Sequence, residues 1–168
     1  MPKEIDLSGD WEILPVSRFD GNYELSGAFR KTRVPGHWQQ TPGLEDYAGK
    51  AVYKRAFKFK PEPDQRFFLR LNGAFYWATA YLNEARLGAN EGYFFPVEYE
   101  ITGLLMKDNL LLVEVDCPNE PDKVNKRQLT GVFHHWDCLA PKLNPGGLWL
   151  PVEIHRSGPV RLSDPLFT

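Results

Sequence analysis

The stretch "RFFLRLNGAFYWATAYLNEARLG", residues 66–88, places apolar side chains at every second position on either side of an Asn-Gly pair. Residues 66–71 and 77–82 carry the two-residue period of strands, and Asn72-Gly73 reads as the turn between them. A second turn at Asn83-Glu84 folds 77–88 into a hairpin. The same signal recurs on both sides. "KAVYKRAFKFK" (50–60) sets Val52, Lys54, Ala56, Lys58 and Lys60 on one face and Tyr53, Arg55, Phe57 and Phe59 on the other. "NLLLVEVDC" (109–117) alternates into a buried strand, and "LWLPVEIHR" (148–156) is the last one. "WEILPV" (11–16) reads as an edge-like run ended by Pro15. "YFFPVEYEIT" (93–102) reads as a strand that Pro96 confines to an edge or a bulge. The span 17–49 is less regular and holds "VPGHWQQTPGLEDYAG", a long surface-hugging loop, and the polar span 118–130 also reads as loop. No window holds a helical stripe longer than two turns, and about eight short strands separated by turns predict an all-β fold, a jelly-roll β-sandwich. Its expected core is Trp11, Tyr53, Phe57, Phe68, Leu69, Leu71, Tyr81, Val113, Val115, Val152 and Ile154.

The chain has 168 residues, enough for one domain, and 42% of them are hydrophobic, enough for a real core. Twenty basic residues against 22 acidic ones leave a net charge of −2, without the clustered basic field that nucleic acid or a membrane surface demands. No apolar run approaches the roughly 20 residues of a membrane span. The opening "MPKEIDLSGDW" has no apolar core of a signal peptide, so a cytoplasmic chain is expected. Cys117 and Cys138 do not form a disulfide framework, and two free thiols are favoured over a single bridge. No nucleotide-binding, nucleophile-elbow or zinc-protease motif is present, and no cofactor is expected. Glu98 and Glu100 share a strand face, the arrangement of an exposed face more often than of a catalytic pair.

One segment concentrates chemistry: "GVFHHWDCLAPKLNPGGLW", residues 131–149. In an extended chain His134 and Cys138 point one way, and His135 and Asp137 the other. Neither set supplies the three or four converging ligands that zinc requires, so no metal is expected. A Trp beside an Asp offers a sugar what it needs, a flat apolar ring for its C–H face and a carboxylate for its hydroxyls. Pro141 and Pro145 would stiffen such a loop. The same residues also suit a core Trp and a turn-capping Asp. His37 reads as a hydrogen-bonded loop residue.

Several phrases stand in an order that resembles a known family. They are "LSGDWEI" near the start, "VPGHWQ" (34–39), "YAGKAVYKRAFKF" (47–59), the long run over 69–102, "NLLLVEV" (109–115) and "PGGLWLPVEI" (145–154). Together they resemble the N-terminal, galactose-binding-domain-like sandwich of glycoside hydrolase family 2, which includes β-galactosidases, β-glucuronidases and β-mannosidases. The resemblance implies a single domain over 1–168, with the sandwich at about 5–162 and 163–168 leading out toward an immunoglobulin-like domain. It implies a non-catalytic role, because the family's two glutamates sit on a separate catalytic barrel. The partners it implies are a β-linked sugar, that barrel and the immunoglobulin-like domain. By the same resemblance "HHWDCLAP" matches the family's "GWDWGP", which gives Asp137 a contact to a sugar hydroxyl, with Trp136 and His135 beside it. His135 stands where a Gly is usual, Cys138 where a Trp is usual, and Leu150 where many members carry Arg. Trp38 and Tyr47 are candidates for a secondary sugar contact. The alternatives are a free-standing lectin-like module and a purely structural interaction domain.

Overall fold

The computed structural model describes residues 4–21, 25–119, 128 and 145–161. Ten strands occur among them: β1 (Glu4–Asp6), β2 (Gly9–Val16), β3 (Arg30–Val34), β4 (Gly49–Lys58), β5 (Arg66–Leu71), β6 (Trp77–Leu82), β7 (Ala85–Glu91), β8 (Val97–Glu100), β9 (Asp108–Cys117) and β10 (Val152–Ser157). They form a four-stranded sheet ordered β1-β10-β5-β8 and a six-stranded sheet ordered β3-β2-β4-β9-β6-β7. Every pairing is antiparallel. The described residues contain two short 3-10 turns, Trp38–Gln40 and Thr102–Leu104, and no α-helix.

The sheets meet face to face. Alternate residues of β5 (Phe67, Leu69, Leu71) and β10 (Val152, Ile154) interleave with Trp11, Ile13, Tyr53, Val113 and Val115 of the six-stranded sheet in one continuous core. Trp11 leans edge-on toward Tyr53 at 6.5 Å and donates its indole N–H to the Leu7 carbonyl at 2.8 Å. Of the expected core residues, ten are buried and Phe57, near the end of β4, is half-buried against the core. Two of the ten are buried on the outer faces instead. Tyr81 joins Val52 and Leu112 in a second cluster beneath Phe19 and Leu25. Phe68 lies under the guanidinium groups of Arg66 and Arg161, 5.2 and 4.2 Å from its ring centre.

Four expectations need correction. The span 17–49, read as irregular around a long loop, contains a strand, β3. Only Thr32 and Val34 of that strand are buried, so an edge strand with three charged side chains in five residues shows little apolar periodicity. The run 11–16 is not an edge: β3 covers Gly9 to Ile13, and Pro15 falls just past that cover. Tyr93 to Pro96 precede β8 instead of belonging to it, and β8 is an edge strand. The last strand begins at Val152, because residues 147–151 bond to loops.

The hairpin between β6 and β7 turns on two residues with positive φ, Asn83 at 48° and Glu84 at 71°. Both values fit the two-residue turn that matches strand twist. Asn83 also fastens the turn to its neighbours. Its side-chain amide donates to the Leu104 carbonyl at 2.8 Å and to Asn109 Oδ1 at 2.9 Å, and its Oδ1 accepts from the Leu110 N–H at 2.9 Å. Asn83→Ala is expected to destabilise the fold by about 2–3 kcal/mol, since it strands buried partners. Glu84→Gly should stabilise it by up to about 1 kcal/mol, by relieving a left-handed backbone at a residue with a Cβ. Urea unfolding of the two variants checks both signs.

Candidate functional site

One end of the sandwich is tied by three loops: residues 35–41, 72–76 and 145–151. Chain leaves β3 through Pro35 and Gly36, and the Gly36 N–H donates to the Leu148 carbonyl at 2.8 Å. Trp38 N–H donates to the Gly146 carbonyl at 2.9 Å. Phe75 and Gly147 exchange both of their backbone hydrogen bonds, at 2.9 and 3.0 Å. The Asn72 N–H and side-chain amide both donate to the Pro151 carbonyl, at 3.1 and 3.0 Å.

Two glycines make this closure feasible. A Cβ on Gly146 would lie 2.0 Å from the Trp38 indole. A Cβ on Gly147, whose φ is +132°, would lie 2.6 Å from Tyr53 Oη and 3.0 Å from the Gly36 carbonyl oxygen. A side chain therefore fits at neither position. Burial pushes the Tyr53 hydroxyl far above its ordinary range. That hydroxyl sits beside the Leu148 main chain but off the geometry of a full hydrogen bond.

Trp38 is fully buried, with its indole N–H donating to the Tyr47 carbonyl at 3.0 Å and its ring edge-on to Tyr47 at 5.2 Å. Tyr47 is half-buried and donates its hydroxyl to the Lys50 carbonyl at 2.5 Å. The Trp38 ring is thus a packing element of this loop closure and presents no face for a sugar to stack on. His37 holds the Pro145 carbonyl through Nδ1 at 2.7 Å. A carbonyl only accepts, so Nδ1 carries the proton. Burial lowers the His37 pKa from 6.5, and the bond to Pro145 offsets part of that shift.

Gln128 ends up at the same end, because β4 and β9 are antiparallel and pair Gly49 with Cys117. The Gln128 side chain is buried, donates to the Pro118 carbonyl at 2.6 Å, and accepts from the buried Cys117 thiol at 3.7 Å. The chain is therefore pinned at Gln128 on one side and at Pro145–Gly147 on the other. His134, His135, Trp136, Asp137 and Cys138 lie outside the described residues, as do 162–168. Beside the pin, Trp149 stacks on Tyr93 at 4.8 Å with the rings 20° apart, and donates to the Tyr93 carbonyl at 3.2 Å. Phe94 and Phe95 follow at 50% and 77% exposure.

Sequence reasoning did not identify the roles of Gln128, Phe75 or the Tyr93–Trp149 stack. Gln128 stands alone in a polar run with no pattern around it. Tyr93 and Trp149 are 56 residues apart, and only the sheet topology brings them together.

Glu98 and Glu100 share a face but are not a reactive pair. Although burial pushes the Glu98 carboxyl up, hydrogen bonds from Arg161 and Arg70 hold it below the usual carboxylate range. Glu100 is held low by a two-pronged contact with Arg66 at 2.9 and 2.6 Å. A general acid needs the opposite shift. Among the described residues there is no group of three or more His, Cys, Asp or Glu placed to hold a metal. No described helix is long and apolar enough to cross a membrane.

The glycosyl hydrolase 2 galactose-binding domain-like family matches residues 44–150. The exo-beta-D-glucosaminidase of Arthroderma benhamiae is 31% identical over 97% of this chain and 18% of its own length. The mannosylglycoprotein endo-beta-mannosidase of Lilium longiflorum is 28% identical over 66% of this chain and 13% of its own. The chain thus spans less than a fifth of these curated relatives. Among solved structures, the beta-glucuronidase of Bifidobacterium dentium superposes with a TM-score of 0.73 at 22% identity, covering 94% of this chain and 30% of that one. The beta-D-glucuronidase of Dictyoglomus thermophilum gives 0.70 at 24%, over 94% and 28%. At such identities the structural likeness establishes the fold alone.

Gly146→Ala is expected to cost about 3 kcal/mol or more, because neither the indole nor the closure can yield. Gly103→Ala, at a site with nothing within 4 Å, should be close to neutral. Thermal melts separate the two. His37 supplies a pH test. Its folded pKa lies below its unfolded one, so the unfolded chain binds the extra proton first. Its stability contribution is full above about pH 6.5 and declines as pH falls toward the folded pKa. His37→Gln should flatten that part of the decline in melting temperature between about pH 7.5 and 5.5.

Proposed function

The chain belongs to the glycosyl hydrolase 2 galactose-binding domain-like family, and from that premise we propose that it is a non-catalytic wall of a β-glycosidase sugar site. In this reading Asp137 accepts hydrogen bonds from a sugar hydroxyl, and Trp136 and His135 flank it. A catalytic barrel of the same protein supplies the acid and the nucleophile, and residues 163–168 lead toward an immunoglobulin-like domain. The observation that carries the reading is the pair of anchors at Gln128 and at Pro145–Gly147. The family match includes both anchors and all residues between them in the sequence, and the contacts at Gln128 and Pro145–Gly147 fix the chain on either side of Asp137. A contact residue between two fixed anchors loses less freedom on binding than one on a free tail. β-Glucosaminides and β-mannosides are the first substrates to try, after the activities in the names of the two curated relatives.

A second reading is a free-standing sugar-binding module. Exposed Phe94 and Phe95 favour it, since they provide rings beside the Trp149 stack that the buried Trp38 does not.

The pure chain is expected to leave p-nitrophenyl β-glucosaminide and β-mannoside intact, and turnover of either would end the proposal. In the glycosidase that carries this domain, Asp137→Ala should lower kcat/KM about a hundredfold without lowering the melting temperature. An unchanged kcat/KM would remove Asp137 from the site. Calorimetric binding of an oligosaccharide by the isolated chain, lost in Phe95→Ala, would favour the module reading instead.

A further inference from the structure

The opposite end of the sandwich carries a second surface. β4 and β9 pair over ten residues, with Gly49 against Cys117 at the loop-tied end and Lys58 against Asp108 at the far end. There a groove of about 650 Å³ opens between the chain leaving β4 and the chain entering β9. Phe59, Leu105 and Met106 form its floor, and Lys58, Lys60 and Lys107 stand around it. Met106 is 58% exposed, one of four large hydrophobic residues so exposed among the described residues.

The floor is rigid. Phe59 packs edge-on against Phe67 at 5.0 Å, and its N–H donates to the Lys107 carbonyl at 3.0 Å. The buried side chain of Asn109 accepts from the Met106 N–H at 2.8 Å and donates to the Met106 carbonyl at 2.7 Å. Asn109 is itself held by Asn83. An exposed thioether is thus presented on a backbone clamped from both sides, which reduces the ordering cost of covering it. Met is also the apolar residue that adapts most readily to a partner's shape.

The charged side chains that line the groove are all cationic, with Glu84 and Asp108 on the neighbouring surface beyond Met106 and Glu62 beyond Lys60. Lys50 and Lys54, earlier on the same strand, form ion pairs with Glu114, Asp116 and Glu12. Lys58, Lys60 and Lys107 form none among the described residues, even though Lys58 faces Asp108 across the ladder. A free cationic rim around an apolar floor complements a ligand with an apolar anchor flanked by acids. A sugar polymer fits less well, because Phe59, the one aromatic ring in the lining, is packed against Phe67, and no lining side chain is a neutral hydrogen-bonding group.

We propose that the Met106 groove, rimmed by Lys58, Lys60 and Lys107, is a docking site for an acidic segment of another polypeptide that inserts one apolar side chain against Phe59 and Met106. The site lies at the far end of the sandwich from the Gln128 and Pro145–Gly147 anchors and is independent of any sugar role.

The probe is a fluorescein-labelled peptide, Gly-Asp-Glu-Asp-Phe-Leu-Asp-Glu-Asp-Gly, read by anisotropy on the whole chain at low salt. It should bind at least about tenfold tighter than a counterpart with serine at every acidic position, and the difference should vanish near about 0.5 M NaCl. Met106→Gln, a surface change that keeps the clamp, should weaken binding about fivefold or more. The triple variant Lys58→Glu, Lys60→Glu, Lys107→Glu should abolish it while retaining the melting transition. Equal binding of the two peptides would overturn the proposal, as would Met106→Gln binding like the parent. Binding of polygalacturonate in place of the peptide, or self-association of the chain that Met106→Gln abolishes, would also overturn it.

Discussion

The closest constraint in the molecule is the approach of Gly146 to the face of Trp38. With a Cβ two ångströms from the indole, no side chain is admissible there, and the backbone of 145–148 can lie flat on the ring only because there is none. That approach brings the Gly146 carbonyl to the Trp38 N–H and the Leu148 carbonyl to the Gly36 N–H. It also carries Gly147 into register with Phe75. One missing methyl group thus joins three loops that belong to different parts of the chain, and it does so directly above the core. Trp38 and Tyr53, which line the contact, are also members of that core.

The two ends of the sandwich solve the same problem with different chemistry. Both must satisfy the backbone groups left where strands stop. At the Gly49–Cys117 end, loops bond to loops around a pair of glycines, and a buried glutamine closes on the Pro118 carbonyl. At the Lys58–Asp108 end, two asparagines do the work: Asn83 spans the hairpin and the β9 entrance, and Asn109 spans its own preceding turn. The first solution leaves a fixed frame for an intervening segment. The second leaves a short, rigid, partly apolar shelf.

Periodicity made the central strands legible. β4, β5, β6 and β9 are buried on at least one face, so their alternation survives in the residues. β1 and β3 were not legible, because β1 is three residues long and β3 spends three of its five positions on charges facing water. Phe68 and Tyr81 were readable as buried but not as lying outside the sandwich. Apolarity predicts cover without saying which layer provides it, and here the cover comes from arginines in one case and from Val16, Phe19 and Leu25 in the other. The loop-tied end was half legible. "VPGHWQ" and "PGGLW" announced themselves as loops of family type, yet their contact with each other lies more than 100 residues apart in the chain. For that reason Trp38 suggested a sugar platform from the sequence, whereas its role in the structure is to receive Gly146.

A domain that lends one wall to a reaction performed elsewhere faces a demand that a complete enzyme can spread over many elements. Its contact residues must be held still by the domain itself. Freedom kept in a contact segment costs binding energy each time a ligand arrives, so rigidity has to be built into the anchors. Both anchors here are buried and made of backbone-directed hydrogen bonds, which are indifferent to the identity of the residues between them. Substitutions between the anchors therefore leave the anchoring bonds themselves unchanged. In this fold the frame is built independently of the segment it brackets, and it begins at Gly146.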